Sequence, residues 1–255
     1  MSVEWTAPAI VLDARPYGEG GAVATVLTAE HGRHRGLAKG GSARGQTAVW
    51  QPGNLIECRW VARLSDQLGA FNAELVHPGA ALAMEDATAL AILASACAVA
   101  EGALPEREAH PRVFDGLLRL ILRLGEGEGA FADYVAWETV LLAEIGYGMD
   151  LSACAVTGGT DDLAFVSPRT GRAVSRDAAG VWAERLLPLP AFLRGPAASG
   201  PEEWRDGLRL TGHFLERDAF GLQHRPLPQA RILLADRLSS VIPSRPVSQG
   251  PEAPG

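Results

Sequence analysis

The chain of 255 residues predicts an α+β fold: a five-stranded antiparallel barrel at the N-terminus, then a mainly α-helical region. Three observations carry this. Five short β-rich runs lie between residues 9 and 77, with no helix of ordinary length among them. After Pro78 the apolar spacing changes from two to three and four. Apolar residues make up 47% and charged residues 21%, so the length and composition allow a sizeable core.

The first two runs are AIVLDAR (9–15) and GAVATVLTA (21–29). EHGR is a hairpin turn, with Gly32 where φ > 0 is expected, and RHRGLA (33–38) is the return strand. KGGSARGQTAVWQPG (39–53), with four glycines and a proline, reads as a long loop. NLIECRWVARL (54–64) alternates, with Leu55, Glu57, Arg59, Val61 and Arg63 on one face and Ile56, Cys58, Trp60, Ala62 and Leu64 on the other. LGAFNAELV (68–76) is the fifth strand, ended by HPG. Such a series suits an OB-fold, and an SH3-like barrel shares the pattern.

Residues 81–101 are alanine-rich, and Glu85 and Asp86 are expected in the first turn of a helix. Val113, Leu117, Leu120, Ile121 and Leu124 form one helical face. Phe131, Tyr134, Val135, Glu138, Leu141, Leu142 and Ile145 form the stripe of the next helix, with Gly146 and Gly148 as its stop. Residues 158–176 break the helical pattern and read as a hairpin-like excursion. Helices resume at 177–187 and 201–223, and LPQARILLADRL (227–238) is a last short one, with proline allowed in its first turn. The expected organisation is a barrel over 1–79, a helical region over 80–240 and a disordered tail over 241–255.

Net charge is −7, which announces no nucleic-acid partner, yet the charge is unevenly placed. Residues 1–79 are neutral overall, and the deficit lies after them. Between 31 and 63 stand Arg33, Arg35, Lys39, Arg44, Arg59 and Arg63 against the single anion Glu57. A local excess of cations on an acidic protein is a more specific signal than the total. Lys39 is the only lysine of the chain.

Several classes of chemistry find little support. EHGRHRGLAKGGSARG (30–45) has its lysine before the glycines and β pattern around it, so it is neither a P-loop nor a Rossmann loop. His31 and His34 lie three apart on a strand, with no Cys or carboxylate cluster to complete a metal site. Cys58, Cys97 and Cys154 are too scattered for a disulfide framework, which suits a reducing cytoplasm. No signal peptide is read at the start, and the longest apolar run, 14 residues from Ala87, is too short to span a bilayer. No G-x-S-x-G occurs, and the carboxylate pairs Glu126/Glu128 and Asp161/Asp162 read as solvated loops. No cofactor, no metal and no catalytic residue are expected.

A cationic surface fits the opening motif better. Arg33 and Arg35, two apart on a strand, leave one face, as do Arg59 and Arg63, four apart on a later strand, while Lys39 and Arg44 stand on the loop between. Guanidinium forks match phosphate geometry. On an OB-type barrel such a groove binds single-stranded nucleic acid. The alternative is a plain solvated face. Trp60 reads as core, and Trp50 stands open between core and stacking platform.

The sequence also resembles a known family. AIVLDARPYGEGGAVATVLTAEHGRHRGLAKGG is similar to the opening of the RecO DNA repair and recombination mediators: Arg15, Tyr17, Gly18 and Glu19, then Thr28, Glu30 and Gly32, then Leu37, Ala38, Lys39 and Gly40. WQPGNLIECRW, GAFNAEL and WETVLLAEIGYGMDLSACAVTGG match later segments in order. The resemblance implies an N-terminal OB-fold and a helical C-terminal part. It implies a non-enzymatic mediator of DNA repair and recombination, cytoplasmic and nucleoid-associated. Such a protein binds single- and double-stranded DNA, anneals complementary strands, and works with RecR and single-strand-binding protein to load a recombinase. A protein-interaction adaptor whose barrel binds no nucleic acid is the rival reading. Some members hold zinc with four cysteines. Here only Cys154 remains, Thr157 stands at the second position and TGRAVS has no cysteine, so the loop is carried over and the metal is not. The tail of single-strand-binding protein is acidic and apolar, so its dock should be an apolar groove edged by arginine. Arg119 and Arg123, or Arg205 and Arg209 with Arg217, are the residues placed to edge one.

Overall fold

A computed structural model describes residues 2–38, 46–124 and 130–241. Lys39 and Arg44, the Glu126/Glu128 pair and nearly all of the expected tail lie outside them.

Five strands close the N-terminal barrel: β1 (Val3–Tyr17), β2 (Gly21–Thr28), β3 (Gly32–Ala38), β4 (Leu55–Ala62) and β5 (Ala70–His77). Their order around the ring is β1-β2-β3-β5-β4. Four of the five pairings are antiparallel, and the one that closes the ring, β3 with β5, is parallel. β1 is long because it serves two partners. Val3–Ile10 pair with β4, and Ala9–Tyr17 pair with β2. The expected first strand began at Ala9, so it captured only the second half.

Alternation along β4 decides what fills the ring. Ile56, Cys58, Trp60 and Ala62 point inward with Ala9, Val11, Ala24, Val26 and Phe71. Trp50 is buried in the same cluster, 5.9 Å from the Phe71 ring, so it is core. The Trp60 indole N–H donates to the Leu68 carbonyl at 3.0 Å, which satisfies its one polar atom.

The helices are α1 (Gly79–Ala83), α2 (Ala87–Ala103), α3 (Pro111–Arg123), α4 (Ala130–Glu144), α5 (Arg176–Ala179), α6 (Pro201–Phe214) and α7 (Gln229–Val241). The single helix expected over 81–101 is split. Asp86 caps α2 instead of lying in its first turn, accepting from the Thr88 and Ala89 amides at 2.5 and 3.0 Å. A π-helical stretch, Leu215–Phe220, continues α6. The excursion around 158–176 is a hairpin, β6 (Leu163–Val166) with β7 (Ala173–Ser175), extended by β8 (Leu187–Pro188).

The barrel and the helices share a core. Ile10, Leu12 and Leu27 point outward from the ring, and the helical cluster, with Ile92, Leu93 and Leu117, buries them. No helix among the described residues is long and apolar enough to cross a membrane.

Candidate nucleic-acid interface

The β2–β3 hairpin turns at Gly32, whose φ is +62°. A Cβ there would overlap the backbone of Glu108. The close approach exists because the segment after α2 lies along β3: the Arg107 amide donates to the Arg33 carbonyl at 2.8 Å, and Arg33 bridges Glu106 in parallel. Arg107 then reaches across to the β4–β5 loop, where its guanidinium donates to the carbonyls of Ser65 and Gln67.

Of the cations read from the sequence, four lie among the described residues. Arg33 and Arg35 leave one face of β3, and the helical region covers Arg33. The Arg33 side chain is 16% exposed and stands 3.7 Å from Glu101 and 3.9 Å from Glu106. Burial lowers its pKa, and the two carboxylates oppose that. Arg35 is half-exposed, 3.8 Å from Glu106. Arg33 thus serves the junction between barrel and helices.

Arg59, on the outer side of β4, and Arg63, just past its end, stay together. They edge an open groove with Ser2, Val61, Ala70 and Asn72. Arg59 donates to Glu4 at 2.6 Å, a pair in which both side chains are about half exposed. Arg63 is exposed and makes no ion pair among the described residues. These two guanidiniums can meet an anion without unfolding any contact of the core.

The arginines expected to edge a partner groove fall into two places. Arg119 and Arg123 line a cavity of about 190 Å³ between α3 and α4, with Gly116, Leu120, Trp137 and Val140. Arg123 also pairs with Asp133 at 2.9 Å. Arg205 and Arg209 lie one turn apart on α6, and Arg209 faces the groove between α6 and α7 with Leu208 and Ile232. Arg217 is occupied by Asp218 and by the carbonyls of Pro168 and Arg169.

The loop at Cys154 is closed by its own backbone hydrogen bonds. The Cys154 amide donates to the Gly159 carbonyl at 2.7 Å and the Gly158 amide returns to the Cys154 carbonyl at 2.8 Å. Its sulfur accepts from the Ser175 amide at 3.3 Å and the Ser175 hydroxyl at 3.4 Å. Hydrogen bonds from Ser175, then Thr157, lower the thiol pKa to about 6. A tetrahedral zinc site needs about four strong ligands, and one thiol ringed by hydroxyls does not fit one. Among the described residues no group of three or more His, Cys, Asp or Glu could hold a metal ion. Burial pushes the thiols of Cys58 and Cys97 up to about 12.

Sequence reasoning missed Trp5 and the use of His31. Trp5 precedes the first strand that the pattern revealed, and its ring lies on that of His31 with centroids 4.6 Å apart. An aromatic residue three positions before a proline carries no signal of its own, so only the strand's true start could have found it.

Residues 1–78 match the family model described as "Recombination protein O N terminal", and residues 84–227 match "Recombination protein O C terminal". The chain is 58% identical over 242 residues to the DNA repair protein RecO of Granulibacter bethesdensis, covering 94% of this chain and 97% of that one. It is 56% identical over 247 residues to that of Gluconacetobacter diazotrophicus, covering 94% and 97%. It is 51% identical over 237 residues to that of Rhodospirillum centenum, covering 92% and 94%.

Proposed function

The chain belongs to the RecO family of DNA repair proteins, and from that premise we propose that its barrel binds DNA through the outer side of β4. Arg59 and Arg63 are the phosphate contacts, and Lys39 and Arg44, outside the described residues, are further candidates. Arg35, half-exposed on β3, is a further cation of the barrel, and Arg33 ties β3 to the helices. The observation that carries the reading is the Arg59–Arg63 groove, whose lining includes two guanidiniums and no carboxylate.

The work done is non-covalent. Guanidiniums neutralise phosphates and release counterions, so affinity falls as salt rises. Two complementary strands held on neutralised surfaces repel each other less, and annealing follows with no bond made or broken. The same chemistry accepts single- and double-stranded DNA, because it reads the backbone.

Loading a recombinase requires access to protein-coated strands, which brings RecR and single-strand-binding protein in as partners. The cavity between α3 and α4 suits the acidic, apolar tail of single-strand-binding protein. It has an apolar floor of Leu120, Trp137 and Val140 and a rim of Arg119 with Arg123, the latter paired with Asp133. At about 190 Å³ it takes one or two side chains, as a chain terminus would present.

Titrating labelled single-stranded DNA with the full chain at low and at high salt tests the reading. Binding that weakens steeply with salt, with faster annealing of complementary strands, is expected. Undetectable binding at low salt would favour the adaptor reading.

A further inference from the structure

One end of the barrel gathers aromatic rings. His31 lies on Trp5 with an interplanar angle of 15°, and Trp60 stacks behind Trp5 at 6.1 Å. His34 meets Trp5 edge-on at 5.2 Å and Trp60 at 4.6 Å. The turn is built to hold this arrangement: the His31 amide donates to the Thr28 hydroxyl at 2.9 Å. Trp5 and His31 are both partly exposed, so the stack forms part of the surface.

Two features exceed what closing a barrel requires. A small ring needs apolar side chains at its mouth, yet here the outermost ring is an imidazole on an indole. Behind them His34 is 5% exposed, and neither of its ring nitrogens meets a hydrogen-bond partner, although the His31 backbone lies close. Leaving a buried polar group unpaired is unfavourable. A neutral imidazole offers one donor and one acceptor.

We propose that the Trp5–His31 stack receives a nucleobase of single-stranded DNA whose phosphates Arg59 and Arg63 hold on the other side of the barrel's rim. This rests on the reading of the β4 outer side as a DNA surface and deepens it from a backbone track to a base contact. In the β1–β4 ladder Trp5 stands opposite Trp60 and turns with it into the end of the barrel, while Arg59, opposite Thr6, turns outward. Arg63 follows Ala62, the last residue of β4, which stands opposite Val3, so it lies toward the same end as the rings. A strand held on the outer side of β4 reaches the rings by turning a base over that rim. Every base has a π-face, so the contact favours single strands over duplex without choosing a sequence.

The test compares two labelled probes of equal length, an oligothymidylate and an abasic phosphodiester strand, on the full chain at one salt concentration. The thymidylate is expected to bind about tenfold more tightly. In His31→Ala the ratio of the two affinities should fall to near one, and His31→Phe should restore it. Because His31 is a partly exposed turn residue, an unchanged urea midpoint for His31→Ala is expected alongside. Equal affinity of the wild type for both probes overturns the stacking site and leaves the phosphate track standing. A preference that survives His31→Ala overturns it too, and makes the stack a cap on the barrel. Binding of neither probe by the wild type sinks the DNA surface and the stacking site together.

Discussion

Glu138 and Arg231 form an ion pair inside the helical core, with Arg231 Nε 2.6 Å from Glu138 Oε1 and side chains 0% and 3% exposed. The pair joins α4 to α7, and its remaining polar atoms are taken up. Tyr134 donates to Glu138 Oε1 at 2.6 Å, Thr211 donates to Oε2 at 2.5 Å, and the guanidinium also donates to the Leu208 carbonyl at 2.7 Å. Burial opposes the charge on Arg231, and Glu138 with Tyr134 more than offsets that, so its pKa is raised. Glu138→Leu should therefore cost about 3–5 kcal/mol in urea unfolding, because it strands a buried cation. Glu138→Leu/Arg231→Met should recover most of that loss, since the two groups then leave together. A single variant within about 0.5 kcal/mol of wild type would show that water reaches Arg231.

Gly32→Ala tests the junction of barrel and helices. The residue sits at φ +62°, and a Cβ would meet the Glu108 backbone. The left-handed conformation alone is worth about 1–3 kcal/mol. The overlap should also push the 105–108 segment off β3 and raise amide exchange at Arg107, whose N–H donates to the Arg33 carbonyl. Exchange at Arg107 unchanged in the variant would contradict this.

His34 should make the barrel sensitive to acid. Burial first, then the charge of Arg107, depresses its pKa to about 4 from an ordinary 6.5. The unfolded chain therefore binds the proton more readily than the fold does. The stability contributed is full above pH 6.5 and is lost as pH falls from there toward 4. Allowing for solvent screening, the loss is about 1–2 kcal/mol. Urea midpoints at pH 7 and pH 4.5 should differ less in His34→Phe than in wild type. An identical pH dependence would contradict the account.

On the proposed DNA surface Glu4 would compete with phosphate for Arg59. The two are 2.6 Å apart and about half exposed, so the pair adds little stability. Glu4→Gln should raise affinity for single-stranded DNA several-fold at low salt, with a melting temperature within a degree or two of wild type. Weaker binding would mean that Glu4 orients Arg59 productively.

The parts legible in the sequence were those that one segment decides. Alternation in 54–64 put Ile56, Cys58, Trp60 and Ala62 inside the barrel, and the 3.6 spacing put Val113, Leu117, Leu120 and Ile121 in the helical core. What escaped was set by partners far away in the chain. Alternation said that Arg33 and Arg35 point out of the barrel, but not that Glu101 and Glu106 would meet them there. The stripe of α4 included Glu138, which indicates burial, yet nothing local names Arg231. Pro8 concealed the first half of β1, and with it Trp5, because a strand that changes partner from β4 to β2 tolerates a proline in its ladder with β4.

The most direct test of the account is the salt dependence of single-stranded DNA binding in Arg59→Ala/Arg63→Ala. Each phosphate contact on a single strand contributes about 0.7 to the slope of log affinity against log salt. The double variant should bind more weakly at every salt concentration tested, with a slope shallower by about 1.4 and an unchanged melting temperature. A slope and affinity equal to those of the wild type would contradict the claim that the outer side of β4 carries the DNA.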